Sequence, residues 1–361
     1  MQPYSLRSFV LSYDNQTNPA GSGFRAQGAA CAGASPDSMS PSRPKKSKAG
    51  SEDARISFLT LKLGRNSYAP RYWASWLWLF VLRAIAALPM SWSRALGAGL
   101  GLLMMVSNEK RRRIARINLD MCFPKLSLRE REQLLRRHFI VSGQSYFDLG
   151  YLAWASERRI LRKVRIRGLE HYHDLRGRNL ILLAPHCVGM NFGGAMVSRE
   201  RAMFSMVKLQ RNPVVNWLLN SGRMRFGALL LSRHQGLRPV ICGLKQGLAF
   251  YYLPDEDFGQ RQSVFVPFFG VPTATLTTLG RLARLTNALV VPCFTRLLPG
   301  GRGYEVILKP PLENFPSGDQ ERDAAHMNEV IEDELRYMPE QYLWTFKIFK
   351  TRPGHASSPY G

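Results

Sequence analysis

The residue with the clearest chemical potential is His186, which closes an apolar run: Asn179-Leu-Ile-Leu-Leu-Ala-Pro-His186, followed by Cys-Val-Gly-Met-Asn191. The stretch 180–184 reads as a buried strand. Gly189, Gly193 and Gly194 then loosen the chain ahead of a helical stretch. A histidine where a strand hands over to a loop is held by a rigid element and open to a cleft, which suits a general base. The same position also suits a histidine satisfied at a sheet edge, so its companions decide. Cys187 reads as a small buried hydrophobe rather than a nucleophile, because adjacent residues of an extended segment point to opposite sides.

Three further blocks hold residues of matching chemistry. Gln210-Arg211-Asn-Pro213 leads through a helical segment to Ser221-Gly-Arg223-Met-Arg225-Phe-Gly227. Tyr252-Leu-Pro-Asp255-Glu-Asp257-Phe-Gly259 carries paired carboxylates. Val264-Phe-Val-Pro-Phe-Phe-Gly-Val-Pro-Thr273 is mostly core followed by a turn. Alone, each is ordinary: Arg223 suits a solvated helix, and Asp255 and Asp257 suit a turn before Gly259. Together they place a base, phosphate-binding arginines (Arg211, Arg223, Arg225) and two carboxylates at the ends of apolar strands. That is where α/β sheets bind ligands.

The elements that must position these residues alternate. Strands are expected at 164–166, 180–184, 203–207, 228–231, 249–253, 264–266, 289–294 and 304–308, and helices at 189–199, 213–224, 239–247, 273–286 and 320–338. The alternation predicts an α/β domain with a mixed or largely parallel sheet flanked by helices. Ahead of it, 127–139 reads as a helix capped by Ser127 with Glu130 three residues on. A second helix is expected at 144–155.

The chain has 361 residues and a formal charge of +24, from 50 Lys+Arg against 26 Asp+Glu. Such an excess points to acidic partners: an anionic bilayer, an acidic protein or nucleic acid. Nucleic acid is disfavoured, because the arginine runs lie beside an apolar segment and no recognition motif accompanies them. The five cysteines are scattered without a C-x-x-C pair; neither a disulfide framework nor a metal site is expected, and no cofactor is implied.

Residues 1–65 are rich in Ser, Gly, Pro and Ala and read as a disordered extension. Residues 66–108 read as a hydrophobic membrane anchor. Within it, 72–106 is the most apolar stretch, but Arg83, Pro89 and Arg94 interrupt it. A span needs about 20 apolar residues, so one tilted span with Arg83 snorkelling competes with a helical hairpin lying in one leaflet, against the plainer alternative of a buried helix pair of a soluble domain. Trp73, Trp76, Trp78 and Trp92 suit the interface. Lys110, Arg111, Arg112, Arg113 and Arg116 follow and place the remainder on the cytoplasmic side, against anionic headgroups. The catalytic domain is expected over 109–354, with a loose tail at 355–361.

In their order and wording these blocks resemble the late acyltransferases of lipid A biosynthesis, within the glycerol-phosphate and lysophospholipid acyltransferases. The resemblance rests on His186 and position 191 (His-x4-Asp/Glu in the family), Gly222-Arg223-Met-Arg225 and Pro254-Asp255-Glu-Asp257-Phe-Gly259. It rests also on the 265–270 run, on Arg113-Ile-Ala-Arg-Ile-Asn-Leu119 to Cys122-Phe-Pro124, and on Gln341-Tyr-Leu-Trp344 to Pro353. It covers roughly 72–354. It implies a glycerol-phosphate-acyltransferase-like fold with an N-terminal helical membrane anchor, at the cytoplasmic face of the cell inner membrane. It also implies acyl transfer from an acyl carrier protein thioester to a hydroxyl of a lipid A precursor. His186 would be the base and Asn191 its orienter. Arg223, with Arg225, would bind phosphate or polarise an oxyanion, and Asp255 and Asp257 would position substrate or neighbouring basic side chains. An apolar groove would hold the acyl chain.

One departure stands out: the family carries a carboxylate at the position of Asn191. Three arrangements are open. Asn191 suffices, as asparagine does in Cys-His-Asn enzymes; or Asp255 or Asp257 lies near His186; or the chain is a weakened or repurposed paralogue that binds lipid without catalysis. An acceptor such as a lysophospholipid, with acyl-CoA as donor, is the alternative within the same chemistry.

Overall fold

The computed structural model describes residues 56–361; the expectation of disorder over 1–55 lies outside the described residues. Phe58–Gly361 form one unit. Its main sheet is built from β1 (Val164–Arg167), β2 (Asn179–Leu183), β3 (Met203–Val207), β4 (Leu229–Ser232), β5 (Ala249–Tyr252), β8 (Ala288–Leu298) and β9 (Gly303–Leu308). Between β5 and β8 the chain forms a separate hairpin of β6 (Ser263–Phe268) and β7 (Val271–Leu276). The main sheet runs in the order β1-β9-β8-β2-β5-β3-β4. All its neighbours pair in parallel except β8 and β9. β2 lies mid-sheet between β8 and β5. Its Leu180, Ile181, Leu182 and Leu183 are fully buried, as a parallel strand covered on both faces must be. At the far edge the Leu59 N–H donates to Leu230 O of β4 at 2.8 Å, so this part of the expected disordered extension lies on the sheet.

The helices ahead of the sheet are α1 (Trp73–Ala87), α2 (Met90–Ser107), α3 (Glu109–Cys122) and α4 (Leu128–Trp154). Two short helices, α5 (Glu157–Leu161) and α6 (Leu169–His173), flank β1 in the chain. Beyond them come α7 (Met190–Glu200), α8 (Pro213–Met224), α9 (Arg238–Lys245), α10 (Thr278–Thr286) and α11 (Gln320–Leu335). α7 packs on β3, β8 and β9, α9 on β2 and β5, α10 on β8, and α11 on β6. The expected mixed α/β sheet flanked by helices is therefore present.

One expected element differs. The helix predicted over 273–286 starts only at Thr278, because 271–276 forms β7, antiparallel to β6. The two-residue turn between them, Phe269-Gly270, has φ of +50° and +76°, the pattern of a type I′ hairpin turn. Alternating Thr273 and Thr275 then favour strand over helix.

Ser127 and Glu130 form the expected capping box of α4. The helix then runs unbroken through the boundary expected near 140. Gly143 does not break it, because it packs against α2: a Cβ there would lie 2.3 Å from the Gly101 nitrogen. Gly97 and Gly101 of α2 meet α4 equally closely. These glycines are thus contact points between two helices.

The region 66–108, expected as a membrane anchor, holds the two helices α1 and α2. Among the described residues no helix is long and apolar enough to cross a membrane. α1 ends at Leu88-Pro89, and its 15 residues reach only about 22 Å. α1 and α2 both pack on α4. Arg94 of α2 is buried with Asp148 of α4 at 2.6 Å, and Asp148 also takes the Tyr304 hydroxyl of β9. This buried network ties the helix pair to the sheet. The outer stripes remain apolar: Trp73, Leu77 and Phe80 on α1, and Trp92, Leu103 and Val106 on α2, are each more than half exposed.

The last residues, expected to be loose, return to the body. Tyr360 is buried; its hydroxyl donates to Asn118 and accepts the Phe349 N–H at 3.0 Å.

Candidate active site

His186 and Asp255 meet because their strands are parallel neighbours. Leu183 of β2 is in register with Tyr252 of β5, and each functional residue lies three positions beyond its strand. The Ala184 N–H donates to Tyr252 O at 2.9 Å, extending the ladder to the edge of the site. From the other side, Gln341-Tyr342-Leu343 pins the histidine loop. The Val188 N–H donates to Gln341 O at 2.9 Å and the Leu343 N–H to His186 O at 3.0 Å. The Gln341 side chain also bonds the Leu297 backbone of β8 in both directions.

Asp255 grips His186 twice. Oδ1 lies 2.7 Å from Nδ1, and Oδ2 accepts the backbone N–H at 2.7 Å. Asp255 also takes the Tyr342 hydroxyl. Burial opposes ionisation of Asp255, but the His186 charge and hydrogen bonds outweigh it and lower its pKa. An ionised carboxylate only accepts, so Nδ1 carries a hydrogen and Nε2 is the ring nitrogen not engaged by Asp255. Burial likewise opposes protonation of His186, yet Asp255 and then Glu256 outweigh it and raise the imidazole pKa. The Phe346 ring packs beside the imidazole, 5.1 Å between centroids. Cys187 is fully buried and its thiol is pushed well up by burial, so it offers no thiolate.

Asn191 stands in the first turn of α7 and serves another partner. Its Oδ1 accepts the Nε–H of Arg223 at 2.7 Å. Arg223 lies near the end of α8 and also donates to Asn220 Oδ1, at 3.3 Å. Neither of these partners is a carboxylate, and burial lowers the Arg223 pKa to about 10. It still carries its charge at neutral pH and presents that charge to a cavity of about 730 Å³. His186, Asn191, Arg223 and Glu256 line this cavity, as do the apolar Met203, Val207, Leu230 and Phe250.

The remaining expected residues lie elsewhere. Arg225 donates to Leu152 O of α4 at 3.1 Å. Asp257 accepts from the Thr351 N–H and hydroxyl, at 2.6 and 2.8 Å, and from the Gly259 N–H at 2.9 Å, and so holds the C-terminal segment. Arg211 is exposed on the loop before α8. Neither Asp257, Arg225 nor Arg211 lines the cavity. Three charged residues with no assigned role from sequence do line it: Lys208, Glu256 and Arg233, the last being the first residue beyond β4. Arg233 occupies the strand-end position that singled out His186, and that signal was open to use. Among the described residues no group of three His, Cys, Asp or Glu is placed to hold a metal ion.

A pinned imidazole–carboxylate pair, a guanidinium held by amides and an apolar lining suit attack of a hydroxyl on an acyl carbonyl. Comparison with known proteins agrees with this chemistry. The family described as Bacterial lipid A biosynthesis acyltransferase matches residues 62–351. The chain is 36% identical to the Lipid A biosynthesis lauroyltransferase of Escherichia coli (strain K12) over 294 residues, covering 81% of this chain and 96% of the relative. It is 35% identical to the Lipid A biosynthesis myristoyltransferase of the same organism, covering 81% and 91%. It is 37% identical to a Lipid A biosynthesis acyltransferase of Haemophilus influenzae (strain ATCC 51907 / DSM 11121 / KW20 / Rd), covering 81% and 95%. With a family match over most of its length and relatives at this identity, the chain is an acyltransferase and belongs to the bacterial lipid A biosynthesis acyltransferase family.

Proposed function

We propose that the protein transfers a fatty acyl chain from an acyl carrier protein thioester to a hydroxyl of a phosphorylated lipid A precursor. His186 Nε2 takes the hydroxyl proton, and the oxygen attacks the thioester carbonyl. The C–S bond breaks, and the imidazolium returns the proton to the leaving thiolate. Asp255 orients the ring and stabilises the imidazolium. Arg223, held by Asn191, faces the acceptor's phosphate or the developing oxyanion. The apolar lining takes the acyl chain. The observation that carries this reading is the His186–Asp255 pair opening, at His186, onto a cavity lined by apolar side chains and by Arg223. Because a carboxylate already serves His186, Asn191 gives no ground for a non-catalytic paralogue.

The protein works at the inner membrane from its cytoplasmic face, with the outer stripes of α1 and α2 lying in the plane of one leaflet. Their exposed Trp and Leu, followed by the basic run 110–116, support this placement.

The test is acyl transfer on membranes carrying the protein, with acyl carrier protein thioester as donor and tetra-acylated lipid A precursor as acceptor. The expected product carries one more acyl chain. Transfer only from acyl-CoA would overturn the donor, transfer only to lysophospholipid the acceptor, and no transfer to either lipid the whole reading.

A further inference from the structure

Glu256, between the two aspartates, has no part in the chemistry above. Its Oε1 lies 3.5 Å from His186 Nε2, the nitrogen that must receive the acceptor's proton. Its two oxygens are gripped by the Arg233 guanidinium, at 2.9 Å each. The imidazole therefore stands between two carboxylates, Asp255 on Nδ1 and Glu256 on Nε2. An imidazolium here would be hydrogen-bonded at Nδ1 and ion-paired across 3.5 Å at Nε2. Asp255, Glu256 and Arg233 are the charged groups acting on the ring; Phe346 packs against it, and the Tyr342 hydroxyl is engaged with Asp255. Burial opposes protonation, but Asp255 and Glu256 outweigh burial and Arg233 and raise the imidazole pKa. An imidazolium cannot act as a base. A hydroxyl must also come within about 2.6–3.2 Å of Nε2, and Glu256 stands in its way.

We propose that Glu256 and Arg233 form a substrate-operated latch, in which Glu256 is a positioning residue that stays beside Nε2 until an anionic group of the acceptor replaces it on Arg233. The inference rests on the reading of His186 as the base. The planar fork of arginine matches a phosphate as well as a carboxylate, so an acceptor phosphate competes for the same two N–H groups. Once Glu256 is displaced, the Nε2 proton is released to water, and the acceptor hydroxyl takes its place beside Nε2. Without an acceptor, the protonated ring does not activate water. The thioester is thereby protected from hydrolysis, in which water would bond to the carbonyl carbon, the C–S bond would break and the thiolate would take a proton.

The test reads the His186 pKa by 15N-histidine NMR of the full chain in detergent, with His186→Ala identifying the resonance. Glu256→Gln removes a negative charge and lowers the pKa by about one unit. Arg233→Gln removes a positive charge and raises it by a smaller amount. Opposite shifts from the two members of one ion pair are not produced by loosened packing; shifts of one sign, or none, overturn the latch. As a second readout, Glu256→Gln raises acceptor-free hydrolysis of the acyl carrier protein thioester at pH 7 by up to about tenfold, and unchanged hydrolysis in a variant whose pKa has moved overturns it too. Opposite pKa shifts in a protein that transfers no acyl chain would fail the functional reading and leave the electrostatics of the latch standing.

Discussion

Arg223 aims its Nε–H at the Asn191 amide oxygen, 2.7 Å away, while the imidazole of His186 is held by Asp255 at the same distance. The residue five positions after the histidine thus serves a guanidinium. An amide holds Arg223 in place without neutralising it, which leaves a net positive charge facing the cavity.

A carboxylate at that position would pair with Arg223 and cancel the charge. Asn191→Asp is therefore expected to raise KM for the phosphorylated acceptor about tenfold, roughly 1.4 kcal/mol, without raising kcat. Initial rates against acceptor concentration check this. A higher kcat at unchanged KM would mean that Asn191 limits the histidine after all.

The Arg94–Asp148–Tyr304 network joins α2, α4 and β9 in the interior. Arg94→Met leaves the buried Asp148 without its cationic partner. Breaking a buried pair costs about 3–5 kcal/mol, so thermal unfolding in detergent is expected at a clearly lower temperature. An unchanged midpoint would show that the pair is solvated.

His138 of α4 is fully buried and donates Nδ1–H to Glu340 O at 3.0 Å. Burial lowers its pKa from 6.5 to about 4. The unfolded chain takes up this proton below pH 6.5 and the folded chain only near 4, so stability falls as pH drops through that window. The loss by pH 4 is on the order of 3 kcal/mol. Denaturant midpoints between pH 7 and 4 measure it, and His138→Gln is expected to flatten the slope. An equal slope in that variant would place the titration elsewhere.

The apolar stripes of α1 and α2 are expected to carry membrane binding. Replacing Leu77 and Leu103 by Glu, both exposed, is expected to cut flotation with anionic vesicles at least tenfold without changing the unfolding temperature. Undiminished flotation would place the contact on another face.

Much of this was legible from strand ends. The apolar run before His186 and the alternation beyond it give the sheet, and the basic and acidic blocks fall at its C-terminal edge. What the sequence hides is which strands are neighbours. β2 and β5 lie side by side although β3 and β4 intervene in the chain, and that adjacency selects Asp255 over Asn191 as the partner of His186. Asp257, two residues from Asp255, turns to Thr351, a contact across nearly a hundred residues that local pattern cannot supply. The turn read after the 264–269 run is present, but the strand that follows it over 271–276 was hidden, because its pairing with β6 and not local pattern makes it a strand.

The central claim is that the His186–Asp255 pair is the base. It is tested most directly by kcat for transfer from acyl carrier protein thioester to lipid A precursor in wild type, His186→Ala and Asp255→Asn. Asp255→Asn preserves shape and removes the charge, so kcat should fall by about 10³–10⁴, with activity abolished in His186→Ala. Near-normal kcat in Asp255→Asn would contradict the account, and near-normal kcat in His186→Ala would end it.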